Sequence, residues 1–183
     1  LEKRLMHDES VKGDEMKAHK AKIYIVSACL LGENCKYSGG NNLVPGLEQW
    51  LSGNKICYIA VCPEVAGGLP TPREPMEICN GRVIGKSGED YTENMNAGAY
   101  LSIKNIEKIL AEKHANSFVE RVNIDLSAKV AAILKSKSPS CGFGKIYDGS
   151  FTGRLTEGNG IFADILSERG VCIYYEKICK EWL

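Results

Sequence analysis

Three cysteines stand where runs of apolar, largely β-branched residues stop: Val26-Ser27-Ala28-Cys29, Ala60-Val61-Cys62-Pro63-Glu64 and Ser138-Pro139-Ser140-Cys141-Gly142. The carboxyl ends of parallel strands share one rim of an α/β sheet, so thiols distant in the chain can meet there. Three thiolates on one rim suit an iron–sulfur cluster or zinc. Three rather than four leave a position on the metal open to substrate or water. The alternative is three buried structural thiols. No Cys-x-x-Cys pair occurs, which speaks against zinc ribbons, ferredoxin spacing and thioredoxin-like redox motifs. Any metal must then be held from separate strand ends.

Other residues near these cysteines carry chemistry of their own. Glu64 stands two residues after Cys62 on a loop pinned by Pro63, where a carboxylate beside a metal centre can accept a proton from water; a helix cap or a surface ion pair is the alternative. Ser138 and Ser140, stiffened by Pro139, can orient a substrate or simply satisfy turn backbone. Arg73, between Pro72 and Glu74, offers a fork of donors for a carbonyl or an anion. Gly39-Gly40 and Gly67-Gly68 can cradle an anion but form no phosphate-loop or dinucleotide fingerprint. Lys135, Lys137 and Lys145 bias the third cysteine loop toward thiolate. Cys35 reads either as a fourth ligand or, by preference, as a loop residue. Cys57 and Cys172 read as core, Cys79 and Cys179 as incidental. His7, His19 and His114 fall in the polar extension and on a helix, and receive no catalytic part.

These side chains need a scaffold, and the sequence predicts one. Ile23 to Val26, Ile56 to Val61 and Val130 to Leu134 are near-continuous apolar runs, as strands buried on both faces require. Leu43 to Leu51 reads as a short helix and Thr92 to about Ala115 as a long amphipathic one, with Thr92 as its cap. Between them, three prolines and two glycines in Gly67 to Pro75 exclude helix and central strand. Glu77 to Cys79 and Arg82 to Lys86, joined by Asn80-Gly81, predict a hairpin. Beyond Tyr147-Asp148-Gly149 the chain reads as loop, then a helix from about Asn159 to Arg169, a strand Val171 to Tyr175 and a short terminal helix. The expectation is a three-layer α/β fold: a mostly parallel, doubly wound, Rossmann-like sheet with a small β-hairpin insertion. Residues 1–20 form a charged N-terminal extension, and 21–183 a single α/β domain.

At 183 residues and 44% hydrophobic content the chain buries a substantial core without disulfides. Its formal net charge of zero supplies no broad positive field for duplex nucleic acid. A small polar or anionic ligand is the better partner. No apolar run reaches membrane-span length and no secretion leader is visible, so the reading is a cytoplasmic protein. In that reducing setting, eight cysteines are buried hydrophobes or ligands rather than a disulfide framework.

Four stretches together resemble a known family. Ser27-Ala28-Cys29-Leu30-Leu31-Gly32, Cys62 through Arg73, Ser138-Pro139-Ser140-Cys141-Gly142 and Ile146-Tyr147-Asp148-Gly149 are similar to the small bacterial family that includes the thiouracil desulfurases. The likeness runs from about Lys22 to the C-terminus. It implies an oxygen-sensitive [4Fe–4S] cluster, lost from a sample handled in air, held by Cys29, Cys62 and Cys141 with the fourth iron open. It further implies non-redox, hydrolytic removal of sulfide from a thiolated nucleobase such as thiouracil. Glu64 would be the general base, Ser138 or Ser140 a proton or orientation partner, and Ser27, Gly67, Gly68 and Arg73 substrate contacts. Where the family commonly has Arg-Tyr-Asp-Gly, this chain has Lys36-Tyr37-Ser38-Gly39, a change that bears on substrate identity. Cys35 stands at a position the family often fills with valine. The alternative function is a non-catalytic iron–sulfur or zinc module that senses or stores, in which a closed site would recruit Cys35.

Overall fold

A computed structural model describes residues 21, 23–114 and 130–176. The charged extension, Cys179 and the predicted terminal helix lie outside these residues. Four strands, β1 (Ile23–Ser27), β2 (Cys57–Val61), β5 (Val130–Leu134) and β8 (Cys172–Tyr175), form an all-parallel sheet in the order β2-β1-β5-β8. The expected α/β sheet with helices on both faces is the architecture observed. Its central strands are the most apolar because both of their faces are covered. On one face, Ile25, Ala132 and Leu134 pack with Ile103, Ile106 and Leu110 of α3 (Thr92–His114) and with Phe162 and Leu166 of α4 (Ile161–Glu168). On the other, Tyr24, Val26, Ala131 and Ile133 pack against Leu47 and Leu51 of α1 (Leu47–Gly53). Among the described residues, no helix is long and apolar enough to cross a membrane.

The edge strands correct one expectation. Cys57 on β2 is exposed and Cys172 on β8 is only half-buried, because each strand has a neighbour on one side only. Neither is a core residue. Cys79 is half-buried in β3. Helix α1 starts four residues later than the apolar pattern suggests, since Gly46 before it takes a positive φ of 85° that cannot continue a helix turn backwards.

The hairpin of β3 (Met76–Cys79) and β4 (Arg82–Gly85) forms as Asn80-Gly81 predicts, with both turn residues at positive φ. A second hairpin, β6 (Lys145–Tyr147) with β7 (Leu155–Glu157), replaces the expected loop. Its strands have three residues each and β7 is wholly exposed, so no apolar alternation announces it. The cap of α3 also differs: Asp90 Oδ1 accepts the Thr92 amide at 2.9 Å, while Thr92 Oγ1 accepts from the Val83 amide. Residues 63–66, read as loop, form one helical turn, α2 (Pro63–Ala66), opened by Pro63 at a position where its missing N–H costs nothing.

Candidate active site

The strand order places β2 on one side of β1 and β5 on the other, so the chain reverses its winding between β1 and β5. The crevice beyond the carboxyl ends of those strands is where such sheets bind ligands. A cavity of about 380 Å³ lies there, and Cys29, Cys62 and Cys141 all line it. The register aligns the strand ends: Ser27 pairs with Val61, and Val26 with Ile133. Ser27 Oγ then accepts the Lys135 amide at 3.0 Å, carrying the β1–β5 contact past the last ladder pair.

Each thiol is presented by a different local device. Cys29 sits in a short 3-10 turn, Ala28–Leu31, closed by Gly32 at φ 97°. Its carbonyl accepts the Asn42 amide at 2.9 Å and its sulfur accepts from Asn42 Nδ2 at 3.5 Å, so the loop folds back over it. Cys62 immediately precedes α2. That turn lies so close to α3 that a Cβ on Gly98 would stand 1.9 Å from the Pro63 carbonyl oxygen, and one on Gly67 2.1 Å from that of Asn94. Cys141 is buried in a turn where Ser138 Oγ accepts the amides of Ser140 and Cys141, both at 3.1 Å. A Cβ on Gly142 would stand 2.6 Å from the Ser138 carbonyl oxygen.

The environments of the thiols differ in sign. The Cys29 thiol is held below its ordinary range, first by a hydrogen bond from Cys35 and against its burial, with Asn42 and Lys135 helping. Cys62 is pulled down to about 7, again first by Cys35, against burial and the Glu64 charge and aided by the Val65 amide and Arg73. Complete burial pushes Cys141 up. The charges of Cys29 and Cys62 raise it further, so the three sulfurs share one electrostatic site. Cys35, read by preference as a loop residue, lines the same cavity, and its carbonyl accepts from the Cys62 thiol at 3.9 Å. Only the five residues that separate it from Cys29 hinted at this.

Glu64, Arg73, Ser138 and Ser27 share the cavity wall; Ser140, Gly67 and Gly68 do not. Ser140 is buried, its carbonyl accepting the α4 amides of Phe162 and Ala163. Gly67 serves the α2–α3 contact, and Gly68 takes φ +82° with no neighbour where a Cβ would stand. Arg73 makes five contacts: Nε and an Nη donate to Glu64 Oε2 at 2.8 and 2.5 Å, and the others go to the carbonyls of Pro70 and Cys35 and to Thr71 Oγ1. Its five N–H donors are thereby engaged by the protein itself. Ser138 Oγ, which accepts two amides, donates to Glu64 Oε1 at 3.2 Å. Of the lysines, Lys135 pairs with Glu176 at 2.6 Å, Lys137 lies 6.0 Å from the Tyr147 ring, and Lys145 is exposed on β6 away from the cavity.

Among the described residues, no three His, Cys, Asp or Glu side chains are grouped to hold a single metal ion. Thiols spread around a common cavity fit a cluster better than one zinc ion, because each cysteine of a cluster binds a different iron. The seven described cysteines are all free thiols, as such ligation needs.

Known proteins share this architecture. A solved structure of the [4Fe-4S]-dependent thiouracil desulfidase TudS superposes with a TM-score of 0.69 at 37% sequence identity, over 88% of this chain and 95% of that one. The uncharacterized protein YbbK of Bacillus subtilis (strain 168) is 34% identical over 152 residues, 83% of this chain and 94% of that protein. The family model for 2-thiouracil desulfurase matches residues 24–177, a span that contains all three strand-end cysteines, Glu64, Arg73 and Ser138. With its winding reversal, its cysteine-lined crevice and that match taken together, the chain belongs to the 2-thiouracil desulfurase family.

Proposed function

We propose that this enzyme removes the sulfur of thiouracil, or of a closely similar thiolated pyrimidine, as sulfide, by hydrolysis and without net redox change, at a [4Fe–4S] cluster held by Cys29, Cys62 and Cys141. Similarity to the TudS desulfidase supports the cluster and the substrate class. The observation that carries the chemistry is a carboxylate, Glu64, on the same cavity wall as the three thiols. When bound, the cluster supplies a thiophilic, Lewis-acidic iron that draws electron density from a thiocarbonyl and so eases attack at its carbon.

The remaining work falls to side chains. Arg73 fixes Glu64 through Oε2, which leaves Oε1 to the hydroxyl of Ser138, and both Glu64 and Ser138 line the cavity. Glu64 Oε1 takes a proton from water as the water oxygen bonds to the ring carbon. Ser138 holds that oxygen in place with a hydroxyl whose direction is set by the two amides it accepts. As the carbon–sulfur bond breaks, the proton on Glu64 is available to the departing sulfur. Thiouracil and water become uracil and hydrogen sulfide, with the oxidation state of carbon unchanged. The free thiols this requires suit a reducing, cytoplasmic setting.

Anaerobic purification, iron and sulfide analysis and assay on thiouracil test the reading. The expected result is about four irons per chain and equal amounts of uracil and sulfide with no electron donor added. Turnover that consumed a reductant stoichiometrically would refute the hydrolytic step, and activity in iron-free protein would refute the cluster.

A further inference from the structure

Cys35 is the one thiol in the cavity to which the reaction above gives no part. Its backbone is pinned from several sides. Its amide donates to the Glu33 carbonyl at 2.8 Å, and its carbonyl accepts from an Arg73 Nη at 3.0 Å and from the Cys62 thiol at 3.9 Å. The next residue, Lys36, donates its amide to the Gly40 carbonyl at 3.0 Å, closing the loop. The side chain therefore stands where the fold sends it, at the same cavity as Cys29, Cys62 and Cys141. A fourth soft donor at a cavity that already holds three thiols suits a soft cation. Cys35 also packs on the apolar layer under α1, yet packing alone needs no sulfur and would be served by valine. It is half-buried, so an incoming molecule can reach it and displace it.

We propose that Cys35 is a reversible fourth ligand, binding the iron left free by Cys29, Cys62 and Cys141 when the cavity holds no substrate and yielding that position to the substrate's sulfur. The inference rests on the cluster reading above. Binding costs Cys35 its thiol proton, released to solvent, and displacement returns one; no electrons move. Arg73 grips both the Cys35 carbonyl and Glu64, so the thiol that vacates the site and the carboxylate that acts in it hang from one guanidinium. The iron without a cysteine is the one an open cluster loses on oxidation, so this arrangement protects the resting enzyme.

The test compares anaerobically reconstituted wild type with Cys35→Ala and Cys35→Val, the valine filling the apolar contact without a ligand. Conversion of the four-iron to the three-iron form under mild ferricyanide is followed by EPR, and the irons are resolved by Mössbauer spectroscopy before oxidation. Both variants are expected to convert faster by about tenfold or more, the scale on which lost metal-site contacts act. Their Mössbauer spectra should show one distinct iron that wild type lacks. Equal conversion rates and identical spectra would overturn the role of Cys35 while leaving the cluster intact. A wild type that binds no four-iron cluster would instead overturn the cluster reading, and this inference with it.

Discussion

Two carboxylates at the rim of the sheet have nearly the same burial and opposite fates. Glu64 and Glu176 are 13% and 15% exposed in their side chains, and each pairs with a cation. Glu176 uses both oxygens on the end of β5: Oε1 accepts from Lys135 Nζ at 2.6 Å and Ser136 Oγ at 2.7 Å, and Oε2 from the Ser136 amide at 2.8 Å. It ties β8 to β5 and does not line the cavity. Glu64 has both of its Arg73 contacts on Oε2, and Oε1 carries only the Ser138 hydroxyl. An ionised carboxylate oxygen with one partner keeps acceptor capacity for a proton. Neither burial nor the count of partners separates the chemical carboxylate from the structural one, since Glu176 Oε2 also has a single partner; place does, because Glu64 lines the cavity with the thiols and Glu176 does not.

The comparison can be broken most directly at Glu64. Glu64→Gln keeps the shape and loses the base, so sulfide release should fall about 100- to 10,000-fold while the visible absorption of the cluster is retained. Full activity in this variant would remove Glu64 from the mechanism. Arg73→Ala leaves a buried carboxylate without its cation, and thermal or denaturant unfolding should show a loss of about 3–5 kcal/mol. A free Arg73 acting only on substrate would raise KM and leave stability unchanged, the opposite result.

The smallest effect belongs to Glu176. Glu176→Gln should cost about 1–2 kcal/mol of stability and leave kcat nearly unchanged, because only the β5–β8 tie is weakened. The pH dependence sharpens the point. Burial alone would raise the Glu176 carboxyl, but hydrogen bonds from Lys135, the Ser136 hydroxyl and the Ser136 amide outweigh it and hold it below its ordinary value. A group lowered in the folded state stabilises above its unfolded pKa, about 4.3 for Glu, and that contribution is lost as pH falls through the folded value. Wild type should therefore lose more stability than Glu176→Gln on acidification below about pH 5. Parallel stability curves for the two proteins would show that Glu176 contributes nothing through its charge.

The legible parts of this molecule were those with local causes. Val130 to Leu134 is a strand at the bounds its apolar run predicts, and Asn80-Gly81 turns a hairpin because both residues accept positive φ. Proline, glycine and unbroken apolar runs act over a few residues, so they can be read from order alone. The β6–β7 hairpin could not, since short exposed strands leave no periodic trace; the Asp148–Arg154 ion pair at its mouth is visible only once the strands meet. Cys57 was misread for a related reason: an apolar run marks a strand but not whether the strand lies at an edge. In the candidate site, the strand-end thiols and Glu64 stood out by position. Asn42 over Cys29 and Ser138 rather than Ser140 against Glu64 did not, because loop return and side-chain direction set them.

By itself the sequence determined that this chain would build a parallel α/β sheet and put Cys29, Cys62 and Cys141 at strand ends, since alternation, apolar runs and chain breakers are encoded residue by residue. Tertiary structure alone decided which strands became edges, which carboxylate came to line the cavity, and that Cys35 joins three other thiols there. Those outcomes depend on contacts between segments tens of residues apart, and such contacts exist only after the strands have chosen their neighbours and the loops at the rim have closed over the cavity.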